Sequence, residues 1–180
     1  MSDAASRSGP GAIALGVLRL TDSAPAVVAH EFGFFADEGL DVALSVEPSW
    51  ANVADKLAYG ALTAAVIVPP LAFAVSLGLR GPAEPLIIPY AVSLGGDTIT
   101  LAKGLAGELR NEAREIGFAS ALATRLRSST AAKPFGVVHD YSNHNLFLRY
   151  WLAAAGAQAE RDYTIIVTPP ARTLETLRSG

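Results

Sequence analysis

The sequence predicts an α/β protein with a largely parallel sheet, divided into two lobes. Three observations carry that prediction. Short apolar runs of strand length alternate with longer segments of helical periodicity, the pattern of βαβ units. Several of the short runs are apolar at nearly every residue, such as Ala-Val-Ile-Val at 65–68 and Thr-Ile-Ile-Val at 164–167. Such runs suit strands covered by helices on both faces. Finally, a proline- and glycine-punctuated stretch near Tyr90–Asp97, after Pro82, Pro85 and Pro89 and containing Gly95-Gly96, divides the chain in its middle.

In chain order, the strand-like runs are Ala12–Leu20, Asp41–Val46, Ala64–Val68, Leu86–Tyr90, Thr98–Leu101, Phe135–Val138 and Tyr163–Val167. The helical segments are Ala24–Asp37, Trp50–Tyr59, Leu71–Leu77, Leu105–Arg127, Asn143–Ala155 and Arg172–Arg178. Asp22 or Ser23 is expected to cap the first helix, with Pro25 in its first turn, where a missing N–H costs nothing. Ser49 precedes the helix that opens at Trp50, and Ser142 the one that opens at Asn143. Gly39 and Gly156 stand where helices should close. The apolar stretch Ala61–Leu79 is roughly long enough for a membrane span, but Pro69-Pro70 in its middle stops such a helix. A buried strand running into a short helix is expected there instead. The boundary gives a first lobe at 1–92 and a second at 93–168.

Composition narrows the function classes. Of the 180 residues, 51% are hydrophobic and 17% charged, enough apolar material for a core and too little charge for a disordered chain. A net charge of −3 gives no electrostatic footprint for nucleic acid or anionic lipid. With no cysteine, disulfides, thiolate nucleophiles and cysteine-bound zinc are excluded. Met1 to Gly11 is small and polar with no apolar stretch ahead of a cleavage site, so a cytoplasmic location is expected. No nucleophile elbow, phosphate loop or dinucleotide fingerprint occurs, and no enzymatic activity or cofactor is expected.

In open parallel sheets, ligands bind outside the carboxyl ends of the strands. Helix N-termini point there too, and their free N–H groups and partial positive charge suit a small anion. Three strand-to-helix junctions are therefore candidates. They carry Asp22, Trp50, and the His139…Ser142…His144 segment. Trp50 offers a wall for a planar ligand and one indole N–H donor, or else a core position. His139 and His144 suit anion binding or structural capping. Metal ligation by this pair has no cysteine and no third histidine near it, His30 lying on the first helix, and only Asp140 lies at ligand spacing.

These residues bring a family into view. The run LRLTDSAPAVVAHEFGFFADEGLDVAL, the segment SWANVADKLAYG, and above all FGVVHDYSNHNLFLRYWLAAAGAQAERDYTIIVTPP resemble the nitrate- and bicarbonate-binding proteins of ABC transporters and the cytoplasmic nitrate sensor related to them. The likeness runs from about Val17 to Gly180. A wider superfamily, including thiamine-pyrimidine synthases, shares the type 2 periplasmic-binding-protein fold. The resemblance implies a two-lobed Venus flytrap that holds nitrate or nitrite, or bicarbonate, between its lobes. It matches the family's binding residues to Trp50, Asp97 and a histidine, His144 before His139. It also implies a C-terminally incomplete chain, with 169–180 beginning a return to the first lobe. At position 97 the family offers Gln or Asn, which donate to an anion, whereas Asp only accepts. Either a neighbour neutralises Asp97, or the ligand is not nitrate, or the site has decayed. The leading functional expectation is a cytoplasmic sensor in nitrate assimilation, whose closure alters affinity for a regulatory partner such as an RNA-binding antiterminator. The alternatives are the receptor of an ABC permease and a pyrimidine-precursor synthase, the latter at odds with the absence of cysteine.

Overall fold

The computed structural model describes residues 11–179. The polar N-terminal stretch on which the expected location rests lies, up to Pro10, outside the described residues. The chain divides into two compact units, Met1–Gly95 and Gly96–Gly180.

The first unit is built on three parallel strands, β1 (Ile13–Val17), β2 (Val42–Val46) and β3 (Ala64–Ala65), in the order β2-β1-β3. β1 pairs with β2 from Ile13↔Val42 to Val17↔Val46, and with β3 at Leu15↔Ala64 and Gly16↔Ala65. The central position of β1 explains Gly16. A Cβ there would meet Leu62 Cδ1 at 2.5 Å and Ala65 Cβ at 3.3 Å, so a larger residue would force the Leu62 side chain to shift and crowd β3. The helices of this unit are α1 (Ala24–Glu31), α2 (Phe34–Asp37), α3 (Trp50–Ala58) and α4 (Pro69–Ser76). Its core gathers Val17, Leu18, Val53, Leu57, Leu62, Leu71 and Val75, all buried. Pro69 and Pro70 occupy the first two positions of α4, where proline is tolerated. No helix among the described residues is long and apolar enough to cross a membrane.

The second unit holds α5 (Lys103–Ile116), α6 (Phe118–Arg127), β4 (Lys133–Val137), α7 (Asn143–Ala154), β5 (Tyr163–Val167) and α8 (Pro170–Ser179). β4 and β5 pair in parallel from Lys133↔Tyr163 to Val137↔Val167. Leu109, Leu122, Leu126, Val137, Leu148, Leu152 and Tyr163 form its core. Phe135 packs edge-on against Tyr163.

Several expectations are corrected. The single helices expected over Ala24–Asp37 and Leu105–Arg127 are each two, broken at Gly33 (φ 78°) and Gly117 (φ 84°). Both backbones are left-handed in φ, a conformation glycine adopts without the Cβ penalty. Neither Asp22 nor Ser23 caps α1 with its side chain. Thr21–Ser23 winds as a 3-10 turn, and Ser23 has helical angles rather than the extended ones a capping side chain needs. The runs Leu86–Tyr90 and Thr98–Leu101 form no strand, for they have no ladder partner among the described residues. Ile87 and Leu94 in this stretch are 92% and 90% exposed. β5 is not covered on both faces either, since Ile166 and Val167 stay exposed.

Candidate functional site

All three strands of the first unit run parallel, so their carboxyl ends share one sheet edge, and each leads into a helix. The N-termini of α1, α3 and α4 follow these ends. At α3 the cap is complete. Ser49 is extended (φ −156°, ψ 162°), its Oγ accepts from the Asn52 N–H at 3.2 Å, and the hydroxyl donates to Asn52 Oδ1 at 2.6 Å. The first residue of α3 is Trp50, which is only 3% exposed. Its ring thus offers an N–H rather than an open face, and that Nε1 has no hydrogen-bond partner among the described residues. A buried donor left unpaired is costly and calls for an explanation. Asp22 stands exposed in the 3-10 turn before α1.

Sequence reasoning missed Glu47, the residue just past β2. Its side chain is 1% exposed, and its Oε1 accepts from Lys56 Nζ at 2.7 Å and from the Ser45 hydroxyl at 2.6 Å. The pair fixes the loop that delivers Trp50. A glutamate nine residues before a lysine, across a loop and a helix, leaves no periodic signal.

In the second unit the chain leaves β4 through His139 and enters α7 behind Ser142. This junction is tightly cross-bonded. The fully buried Ser142 hydroxyl donates to the His139 carbonyl at 2.7 Å, and its Oγ accepts the Asn145 N–H at 3.2 Å. His139 is buried at 5% exposure, and its Nδ1 accepts the Tyr141 N–H at 3.0 Å. Asn145 Nδ2 donates to the Asp140 carbonyl at 2.8 Å, while its Oδ1 accepts from Arg149 Nε at 3.0 Å. Arg149 is held in turn by Glu160 at 3.5 Å. Of this network the sequence flagged the His139…Ser142…His144-Asn145 segment, and not its links to Arg149 and Glu160.

His144, the second residue of α7, extends from this frame. Its Nε2 lies 3.1 Å from Asp97 Oδ1, with the two side chains 39% and 35% exposed. Its Nδ1 is buried and has no partner among the described residues. Two of the sequence-flagged residues, Asp97 and His144, thus meet although 47 positions separate them. His139, by contrast, is engaged within its own loop. Among the described residues no group of three or more His, Cys, Asp or Glu is disposed to hold a metal ion.

Both junctions are arrays of donors at helix N-termini, suited to binding a compact anion. The chain matches the NMT1-like family over residues 6–180. It is 35% identical over 171 residues to a nitrate import ATP-binding protein, NrtC, of Synechocystis sp., covering 92% of this chain and 24% of that protein. It is 36% identical over 170 residues to a bicarbonate transport ATP-binding protein, CmpC, of Synechococcus elongatus, covering 92% and 25%. Its structure is similar to that of the periplasmic nitrate-binding protein NrtA from Synechocystis, with a TM-score of 0.78 and 28% identity over 92% of this chain and 43% of that one. The chain therefore spans about a quarter of the length of these transport ATP-binding proteins. Its fold is the type 2 periplasmic-binding-protein fold that the sequence leads one to expect.

Proposed function

The chain belongs to the NMT1-like family, and from that membership and its two donor-lined junctions we propose that it is a solute-binding module for a small oxyanion of the nitrate and bicarbonate class, and not an enzyme. The observation that carries this reading is the buried Trp50 Nε1, unpartnered at the Ser49-capped start of α3. A trigonal oxyanion supplies the acceptor this N–H lacks, and the α3 dipole favours its charge. In the second unit, taken by itself, the first turn of α7 behind Ser142 is a second helix N-terminus suited to an anion. Likeness to nitrate- and bicarbonate-handling proteins supports the ligand class.

We further read the module as a cytoplasmic sensor in nitrate assimilation. The relatives at 35% and 36% identity are ATP-binding transport proteins, and ATP is a cytoplasmic reagent. A binding module built like part of such a protein would report the internal anion level to its partner, an ABC permease assembly or a regulatory protein such as an antiterminator. Isothermal calorimetry with sodium nitrate, sodium nitrite and sodium hydrogencarbonate tests the ligand claim. Heat of binding with at least one is expected, and none with all three would remove it.

A further inference from the structure

We propose that the run Leu86–Tyr90 of the first unit is a self-association strand, pairing antiparallel with the same run of a second copy of this chain about a two-fold axis at Pro89. The run is as apolar as a strand but has no ladder partner among the described residues. Every residue from Ile87 to Leu94 is exposed, Tyr90 at 71%. Among the described residues no backbone hydrogen bond engages this segment. An exposed apolar stretch with unpaired backbone groups is a template for another chain.

A second copy fits this segment in charge, area and backbone geometry. Between Glu84 and Asp97 no residue is charged, so two copies meet there without local like-charge repulsion, although each carries a net −3. At the exposures of Ile87, Ile88, Tyr90, Val92 and Leu94, the apolar surface offered is on the order of 600 Å² per copy. A symmetric contact then hides up to about 1,200 Å² in all, the lower end of stable specific interfaces. Leu86 is already anchored, its N–H donating to Ser76 Oγ at 3.2 Å, so the free backbone begins beyond it. Pro89 has no N–H and suits a non-hydrogen-bonded position. An axis at Pro89 supplies that position and sets Ile88 of each copy opposite Tyr90 of the other as hydrogen-bonded pairs. Each is a β-branched side chain against an aromatic ring, a favourable cross-strand neighbour.

Light scattering coupled to gel filtration, over about a hundredfold range of protein concentration, tests the pairing. The mass should rise from that of one chain to that of two, and hydrogen exchange at the Ile88 and Tyr90 amides should slow as it does. Ile88→Lys and Tyr90→Lys each place a charge in the contact and should raise the dissociation constant at least about tenfold. Both side chains are exposed in the single chain, so neither variant disturbs its core, as circular dichroism should confirm. Leu174→Lys, at an exposed position of α8 in the second unit, should leave dimerisation unchanged. The mass of one chain throughout, with both amides exchanging freely, would overturn the proposal and leave the run to a different polypeptide. Association that neither variant weakens, or that Leu174→Lys weakens equally, would overturn it too, because general stickiness does not depend on this run.

Discussion

Lys56 Nζ donates to Glu47 Oε1 at 2.7 Å, tying the latter half of α3 to the loop that leads into its first turn. The two ends of this bond differ in environment, since the Glu47 side chain is 1% exposed and that of Lys56 41%. Removing the ammonium leaves a buried carboxylate with only the Ser45 hydroxyl. Lys56→Met, which keeps the apolar stem, should therefore cost about 2 kcal/mol in chemical denaturation, in the range of hydrogen bonds to charged groups. Adding Glu47→Gln to that variant should recover part of the loss. A double-mutant cycle with no coupling between the two positions would show that the pair does not hold the loop.

Trp50 separates binding from stability. Trp50→Ala would excavate the first unit's core at a cost of about 3–5 kcal/mol, and lost binding would then mean little. Trp50→Phe keeps an aromatic ring but removes the unpartnered Nε1–H. Deleting a buried donor that lacks an acceptor relieves a penalty, which offsets the smaller ring. The variant should remain within about 1 kcal/mol of the parent in stability, yet bind its oxyanion roughly tenfold more weakly. Equal affinity in titration calorimetry would show that this N–H does not face the ligand.

How far the sequence foretold these features depends on whether the determining contact is local. The Ser49 and Ser142 caps were readable because the cap and the N–H it accepts lie three residues apart. β1, β2, β4 and β5 were readable because strand-length apolar runs lie between turn signals, and Gly39 and Gly156 closed their helices as expected. Leu86–Tyr90 and Thr98–Leu101 have the same apolar look, but a strand also needs a neighbour, and apolarity does not say where one is. The breaks at Gly33 and Gly117 were visible as glycines, yet helical periodicity on either side hid them. For the candidate site, the junctions pointed to Asp22, Trp50, His139 and His144, and only the family resemblance pointed to Asp97. The contact between Asp97 and His144, and the Glu47–Lys56 pair, depend on tertiary approach.

Asp162 should give the second unit an acid-side limit. Its carboxylate accepts from Arg161 Nε at 2.8 Å and Nη2 at 2.7 Å, and from the Gln158 N–H at 2.8 Å. These bonds, that to Arg161 foremost, hold its pKa down to about 2 against an ordinary 3.8. A depressed folded-state value contributes stability above the unfolded value and loses it as pH falls towards the folded one. Thermal midpoints followed by circular dichroism should therefore drop between roughly pH 4 and pH 2. Asp162→Asn should be less stable at neutral pH and show a shallower drop in that window. An unchanged slope would assign the acid sensitivity elsewhere.

Ser49 and Ser142 make the same cap in different surroundings, so their alanine variants isolate the effect of burial. Each Oγ accepts the N–H three residues ahead at 3.2 Å, but Ser49 is partly exposed while Ser142 is fully buried and also donates to the His139 carbonyl. Water can replace the serine oxygen at position 49. At 142 it cannot enter as readily, and truncation removes a hydrogen bond from two backbone groups at once. Ser49→Ala should cost about 0.5–1 kcal/mol, an ordinary cap loss, and Ser142→Ala about 2–3 kcal/mol. Because the 139–145 loop sets the position of His144, Ser142→Ala should also weaken oxyanion binding, and Ser142→Thr, which keeps the hydroxyl, should restore much of both. Equal losses from the two alanine variants in urea denaturation would mean that the loop rearranges to satisfy its own backbone, and that Ser142 does not position His144.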